Sequence, residues 1–182
     1  MLSLIMKFLN RFNLFQKKPK IIMISGEQKS LTKEFVGQVL GQRFEIGKDV
    51  MLYDVDLNDS SQLKSLVNAS EVAILVADRP DGLDPLPFTK GFIIYKEKKS
   101  IKVLALDSGK EFNLEASNVM DGEKLNFKIK YAGSLVPVWI GEEFSDDKIS
   151  AVLLAAGVGL SLGLNLVEVS QALKPAEARN AV

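Results

Sequence analysis

The sequence predicts an α/β fold of three layers around a mostly parallel, doubly wound sheet, with a β-rich excursion and a closing pair of helices. Three observations carry this expectation. Short apolar runs alternate with helix-like stretches from Ile21 to Ala77, the order in which parallel strands and crossover helices are written. From Gly91 to Gly141 strand-length segments separated by turn residues take over. After Ser145 the pattern returns to helix.

Each element has its own reason. Ile21–Ile24 is short, apolar and rich in β-branched residues, which suits a buried strand. Ser30–Gly41 follows as a helix, with Leu31, Phe35, Val36, Val39 and Leu40 as apolar positions and a glycine at its end. Asp49–Asp56 is a second strand. Asn58–Asn68 opens with capping residues and carries Leu63, Leu66 and Val67. Glu71–Ala77 shows little alternation, as a strand covered on both faces should. Asp78–Lys90 is turn chemistry, with three prolines and a glycine. "GFIIYKE", "SIKVLALD", "KEFNLEA", "KLNFKIKY" and "SLVPVWIG" then read as strands, with Asp107-Ser108-Gly109 and Asp121-Gly122 among their turns. Leu125, Phe127, Ile129 and Tyr131 alternate, so one face of this region is wet.

From Ile149 to Val167 nineteen residues carry no charge. Glycines and serines interrupt the stretch and no aromatic belt flanks it, so it reads as a buried core helix rather than a membrane span. Gly163-Leu164-Asn165 is its turn, and Asn165 with Glu168 makes a capping pair for the last helix. Glu142-Glu143 and Asp146-Asp147 read as a solvated stretch favouring the start of the helix that follows them.

Composition narrows the chemistry. The chain has 182 residues, 47% hydrophobic and 25% charged, which suits one well-buried domain. Lys+Arg and Asp+Glu are both 23, so no global field favours nucleic acid, and none is expected as a partner. There is no cysteine and no histidine, which removes thiolate metal sites and the commonest general base near neutral pH. Carboxylates, lysines, hydroxyls and backbone must do whatever the protein does. Residues 1–18 predict a basic amphipathic helix, with Leu2, Ile5, Leu9 and Phe12 opposite Lys7, Arg11 and Lys18. It suits either packing on its own domain or lying on an anionic membrane surface. The domain proper is expected over 19–177, with a tail at 178–182.

The stretch "IIMISGEQKSLTKE" (21–34) has the order strand, glycine, lysine, hydroxyls, helix, which is how a phosphate-binding loop is written. Gly26, Lys29, Ser30 and Thr32 are the candidate nucleotide contacts. On the residues alone, Gly26 also suits a plain strand-ending turn, and Lys29 and Lys33 a solvated helix start. Asp54 and Asp56 stand at the carboxyl end of a strand, where open α/β sheets place ligands.

Laid end to end, these segments resemble the central, ATP-binding domain of the Mur ligases, closest to those that add D-alanyl-D-alanine to a UDP-muramoyl tripeptide. "KPKIIMISGEQKSLTKEFVGQVL" resembles the family's phosphate loop, and "MLYDVDLNDSSQLKSLVNASEVAILVA" its next strand–helix–strand. "MDGEKLNFKIK" is similar to its small β-excursion, and "VPVWIGEEFSDDKISAVLLAAGVGLSLGLNLVEVSQAL" to its closing helix pair. The resemblance implies a cytoplasmic protein of cell-wall synthesis with ATP and magnesium as cofactors. Lys29, Ser30 and Thr32 match the family's lysine and hydroxyls, and Asp54 its metal-binding glutamate. The departures point the other way. The loop lacks the glycine before the lysine and is one residue short, the family's metal-binding histidine has no counterpart, and its two substrate-binding domains are not represented. The combined expectation is a degenerate, non-catalytic relative with weak or lost ATP binding, whose partner is a complete Mur ligase or another cell-wall enzyme. Two alternatives accompany it: a reduced amide ligase working with a partner chain, and a peripheral membrane scaffold.

Overall fold

In the computed structural model, the described residues are 18–78, 90–120, 125–141 and 145–175. They form one mixed sheet of eight strands in the order β2-β1-β3-β4-β5-β6-β7-β8. The predicted amino-terminal helix, save Lys18, and the tail lie outside the described residues, as do Asp121-Gly122 and Glu142-Glu143.

The parallel half is built from the crossovers the sequence predicts. Strand β1 (Lys20–Ser25) leads to helix α1 (Lys29–Leu40), β2 (Val50–Asp54), helix α2 (Ser60–Ala69) and β3 (Val72–Ala77). Strand β1 pairs in parallel with both β2 and β3, so the crossover from β1 to β2 and the one from β2 back past β1 to β3 run in opposite directions and their helices cover opposite faces. Successive side chains of a strand point to opposite faces. Ile22 and Ile24 therefore enter the core shared with α1, whereas Ile21 and Met23 face Leu63 and Leu66 of α2.

Strand β4 (Phe92–Glu97) adds to β3 in parallel. The chain then folds back as four antiparallel strands: β5 (Ser100–Ala105), β6 (Glu111–Met120), β7 (Leu125–Tyr131) and β8 (Ser134–Ile140). The β-rich excursion is thus a continuation of the same sheet. Its alternation is as expected: Phe127 and Ile129 are buried, and Lys128 and Lys130 face outward. Ion pairs cross the wet face, Lys102 to Glu97 at 3.4 Å and Lys130 to Glu115 at 3.4 Å.

Helices α3 (Asp146–Ser161) and α4 (Leu166–Leu173) close the inner face. Ser145 caps α3 by accepting from the Lys148 amide. Asn165 and Glu168 form the capping box predicted for α4, a device that satisfies two otherwise orphaned amides. Among the described residues no helix is long and apolar enough to cross a membrane, and the uncharged stretch is core. Helix α3 packs against α1 and against β3 to β6. Its small residues set the distance, since a Cβ on Gly157 would stand 3.1 Å from Ile94 Cγ2 and 3.2 Å from Val103 Cγ2. Helix α4 lies on β8, where Ser170 Oγ donates to the Pro137 carbonyl at 2.6 Å. With proline inside it and α4 against it, this edge strand is blunted against further pairing.

Candidate functional site

Open α/β sheets bind ligands outside the carboxyl ends of the strands, where the strand order reverses. Here that point lies between β1 and β3, whose last residues, Ser25 and Ala77, are register partners. A cavity of about 500 Å³ opens there. Ser25, Gly26, Glu27 and Gln28 form one wall, Ala77 and Asp78 another, and Lys96, Lys98, Asp147 and Ser150 the far side.

The turn from β1 into α1 explains the wall. Gly26 has φ +116°, a conformation that side chains penalise. The place a side chain would take is filled, because a Cβ on Gly26 would overlap the Asp78 carboxylate. That carboxylate accepts from the Gln28 amide at 3.0 Å. The residue flanking α1 on its amino side, Gln28, makes no side-chain cap, and no acid lies in the first turn. Helix amino termini attract anions through their free N–H groups and dipole. In this chain an anion of its own is held there.

The sequence-predicted site residues divide. Gly26 lines the cavity. Lys29 and Ser30 are exposed on the first turn of α1 and are not among its walls. Thr32 is 1% exposed, and its Oγ1 has no hydrogen-bond partner. Asp54 lies at the end of β2 and pairs with Lys33 Nζ at 3.1 Å, in a half-exposed bridge. The structure therefore joins Asp54 to α1, but through Lys33. Among the described residues no group of three acids could hold a metal ion.

The fit to a nucleotide can be judged from this geometry. A phosphate seated at Gln28 would meet the Asp78 carboxylate, and like charges at that distance repel. Lys29 would have to swing into the cavity, and Asp54 would have to leave Lys33. As arranged, the residues do not fit ATP and magnesium.

Asp78, Lys96 and Lys98 were not singled out from sequence, and Asp147 was read only as part of a solvated helix start. Asp78 carried one signal, as the first residue after a buried strand beside the reversal point. Lys96 sits in the strand read from "GFIIYKE", and Lys98 in the short link to the next strand.

Neither a protein-family model nor a curated protein sequence matches the chain. Solved structures do match. The chain superimposes over 85% of its length, at 12% identity and TM-score 0.58, on 45% of the UDP-N-acetylmuramoylalanyl-D-glutamyl-2,6-diaminopimelate--D-alanyl-D-alanyl ligase of Acinetobacter baumannii. The fold is Mur ligase-like. A pseudomurein peptide ligase type C from Methanothermus fervidus matches 93% of the chain at 13% identity and TM-score 0.58, over 51% of its own length. The MurF ligase of Thermotoga maritima, solved with ADP, matches 92% at 11% identity and TM-score 0.58, over 50% of its length. The chain spans about half the length of these Mur-type ligases.

Proposed function

We propose that this chain is a Mur ligase-like protein of peptidoglycan synthesis that does not turn over ATP by itself and acts by binding another protein of the cell wall. The fold supports the ligase ancestry. The observation that carries the loss of nucleotide chemistry is Asp78, whose carboxylate holds the Gln28 amide and fills the space beside Gly26. Backbone amides at such a loop are what a phosphate cradle has to offer. With a carboxylate already on the Gln28 amide, and no glycine before Lys29 to let the loop curl further, little is left for a triphosphate. The exposure of Lys29 and Ser30 supports the same reading.

Equilibrium dialysis with labelled ATP, with and without magnesium, tests it. The expected result is no saturable binding in the micromolar range. Magnesium-dependent binding at micromolar ATP corresponds to about −8 kcal/mol. Found in this chain and lost in Lys29→Ala, it would overturn the reading. ATP hydrolysis appearing only with a second cell-wall protein would favour the reduced ligase.

A further inference from the structure

We propose that the groove between the β4–β5 hairpin and the first turns of α3 docks an acidic, apolar peptide segment of a partner protein. This deepens the partner-binding reading above and rests on it. The groove has a volume of about 440 Å³ and meets the loop cavity at Lys96, Lys98 and Ser150. Its floor is apolar, made by Ile101, Ala116 and Val119 of the sheet and Ile149 and Leu153 of α3. Its rim carries Lys96, Lys98 and Lys99.

The rim gathers three lysines of one kind in a single concavity. Lys20, Lys33, Lys48, Lys102 and Lys130 each have a carboxylate within reach. Lys96, Lys98 and Lys99 have no ion pair or hydrogen bond among the described residues, although Lys96 is only half-exposed. Charges drawn together in a concavity without counter-ions raise the local potential and attract an anion.

Backbone strain gathers at the same place. Lys98 in the hairpin has φ 57° and Asn118 has φ 51°, conformations that are uncommon without glycine. Asn118 lies where the β6–β7 register shifts, between Ser117 and Met120. Such bulges re-aim side chains and are frequent beside functional sites. Within this bulge Val119, which lines the groove, is 40% exposed.

The lining selects the occupant. Three ammonium groups ask for carboxylates, and the floor asks for an aliphatic or aromatic side chain. Asp146 stands on the opposite wall. The hydroxyls of Ser100 and Ser150 donate to the Glu97 and Asp146 carbonyls and keep lone pairs for an incoming donor. A peptide offers carboxylates, apolar side chains and backbone N–H together. A bilayer surface is flat, whereas the apolar floor lies within a groove between the hairpin and α3 that a peptide side chain can enter.

Fluorescence anisotropy with the full chain tests the proposal, using labelled Glu-Leu-Glu-Phe-Glu and Lys-Leu-Lys-Phe-Lys peptides, with flotation on phosphatidylglycerol vesicles alongside. The acidic peptide should bind with submillimolar affinity that weakens as salt rises. The double variant Lys98→Glu/Lys99→Glu, and separately Val119→Asp, should each weaken it at least tenfold. Lys64→Glu, on the other face, should leave it unchanged. Equal affinity for both peptides, no binding of the acidic one, or indifference to both groove variants would overturn the proposal. Vesicle binding that needs Lys98 and Lys99, without peptide binding, would assign the groove to lipid instead. A magnesium-ATP arm keeps the two readings apart: tight ATP binding refutes the non-catalytic reading, whereas silence toward both ATP and peptide refutes only the groove.

Discussion

If Asp78 occupies the β1–α1 loop, then Gly26→Ala and Asp78→Ala must be coupled. Alanine at φ +116° costs about 1–3 kcal/mol in backbone strain. Its methyl group also evicts the Asp78 carboxylate, which accepts from the Gln28 amide at 3.0 Å. A hydrogen bond to a charged group contributes about 1.5–3 kcal/mol, and the low end applies because Asp78 is half-exposed. The expected loss for Gly26→Ala is therefore about 2.5–4.5 kcal/mol, or roughly 5–18 °C in Tm for a domain of this size. Asp78→Ala alone should lose about 1.5 kcal/mol. In the double variant that hydrogen bond is lost only once, so the two effects should fall short of their sum by about 1.5 kcal/mol. Urea denaturation of the four proteins measures the cycle. Additivity within about 0.5 kcal/mol would refute the reasoning, because distant and independent sites behave that way.

Gly159→Ala gains about 1 kcal/mol in helix propensity, yet its Cβ would stand 2.9 Å from Val39 Cγ1 and 3.1 Å from Val169 Cγ2. Overpacking costs about 1–3 kcal/mol, so net destabilisation is expected. Gly37→Ala, whose nearest neighbour is 3.9 Å away, should stabilise instead, and thermal denaturation of the pair decides. Burial pushes the Tyr53 hydroxyl above its usual value of 10.0. Because the fold favours the neutral form, this contribution is complete below pH 10 and is lost as pH rises through the higher folded value. Absorbance titration at 295 nm should show one late tyrosine that Tyr53→Phe removes, and the variant's stability should fall less steeply at alkaline pH. Inserting a glycine between Gln28 and Lys29 together with Asp78→Asn should tighten ATP binding at least tenfold by dialysis. No change would show that neither the loop length nor the carboxylate is what limits binding.

Local signals made most elements legible. The helix expected over Ser30–Gly41 is Lys29–Leu40, and the Asn165–Glu168 capping box stands where its spacing placed it. Alternation through Leu125–Tyr131 announced a half-wet strand because side-chain direction is a local property. That β4 joins β3, so that the hairpins extend the parallel sheet, was not legible, since strand pairing is decided by contacts far apart in sequence. The site divides on the same line. Gly26 was visible as a glycine ending a strand, but its occupant, Asp78, lies fifty residues beyond Gln28. Asp54 was visible at a strand end, whereas its pairing with Lys33 depends on how α1 lies over β2. The groove lysines look like any polar turn until α3, from the far end of the chain, is set beside them.

That late arrival of α3 has a consequence during synthesis. Ile94, Ile101, Val103 and Leu114 belong to the same core as Val152, Leu153 and Leu154 of α3, which the ribosome makes after every strand. When Tyr131 has been added, the first seven strands exist, but the helix that covers β3 to β6 begins only at Asp146 and is complete at Ser161, thirty residues on. At about 5–20 residues per second that gap lasts a few seconds. For that interval the apolar face of the nascent sheet has no helix α3 to cover it, and in its first part β8 is not yet made. A pause or truncation before Ile149 would prolong it, leaving a client for chaperones and a template for aggregation rather than a smaller working domain.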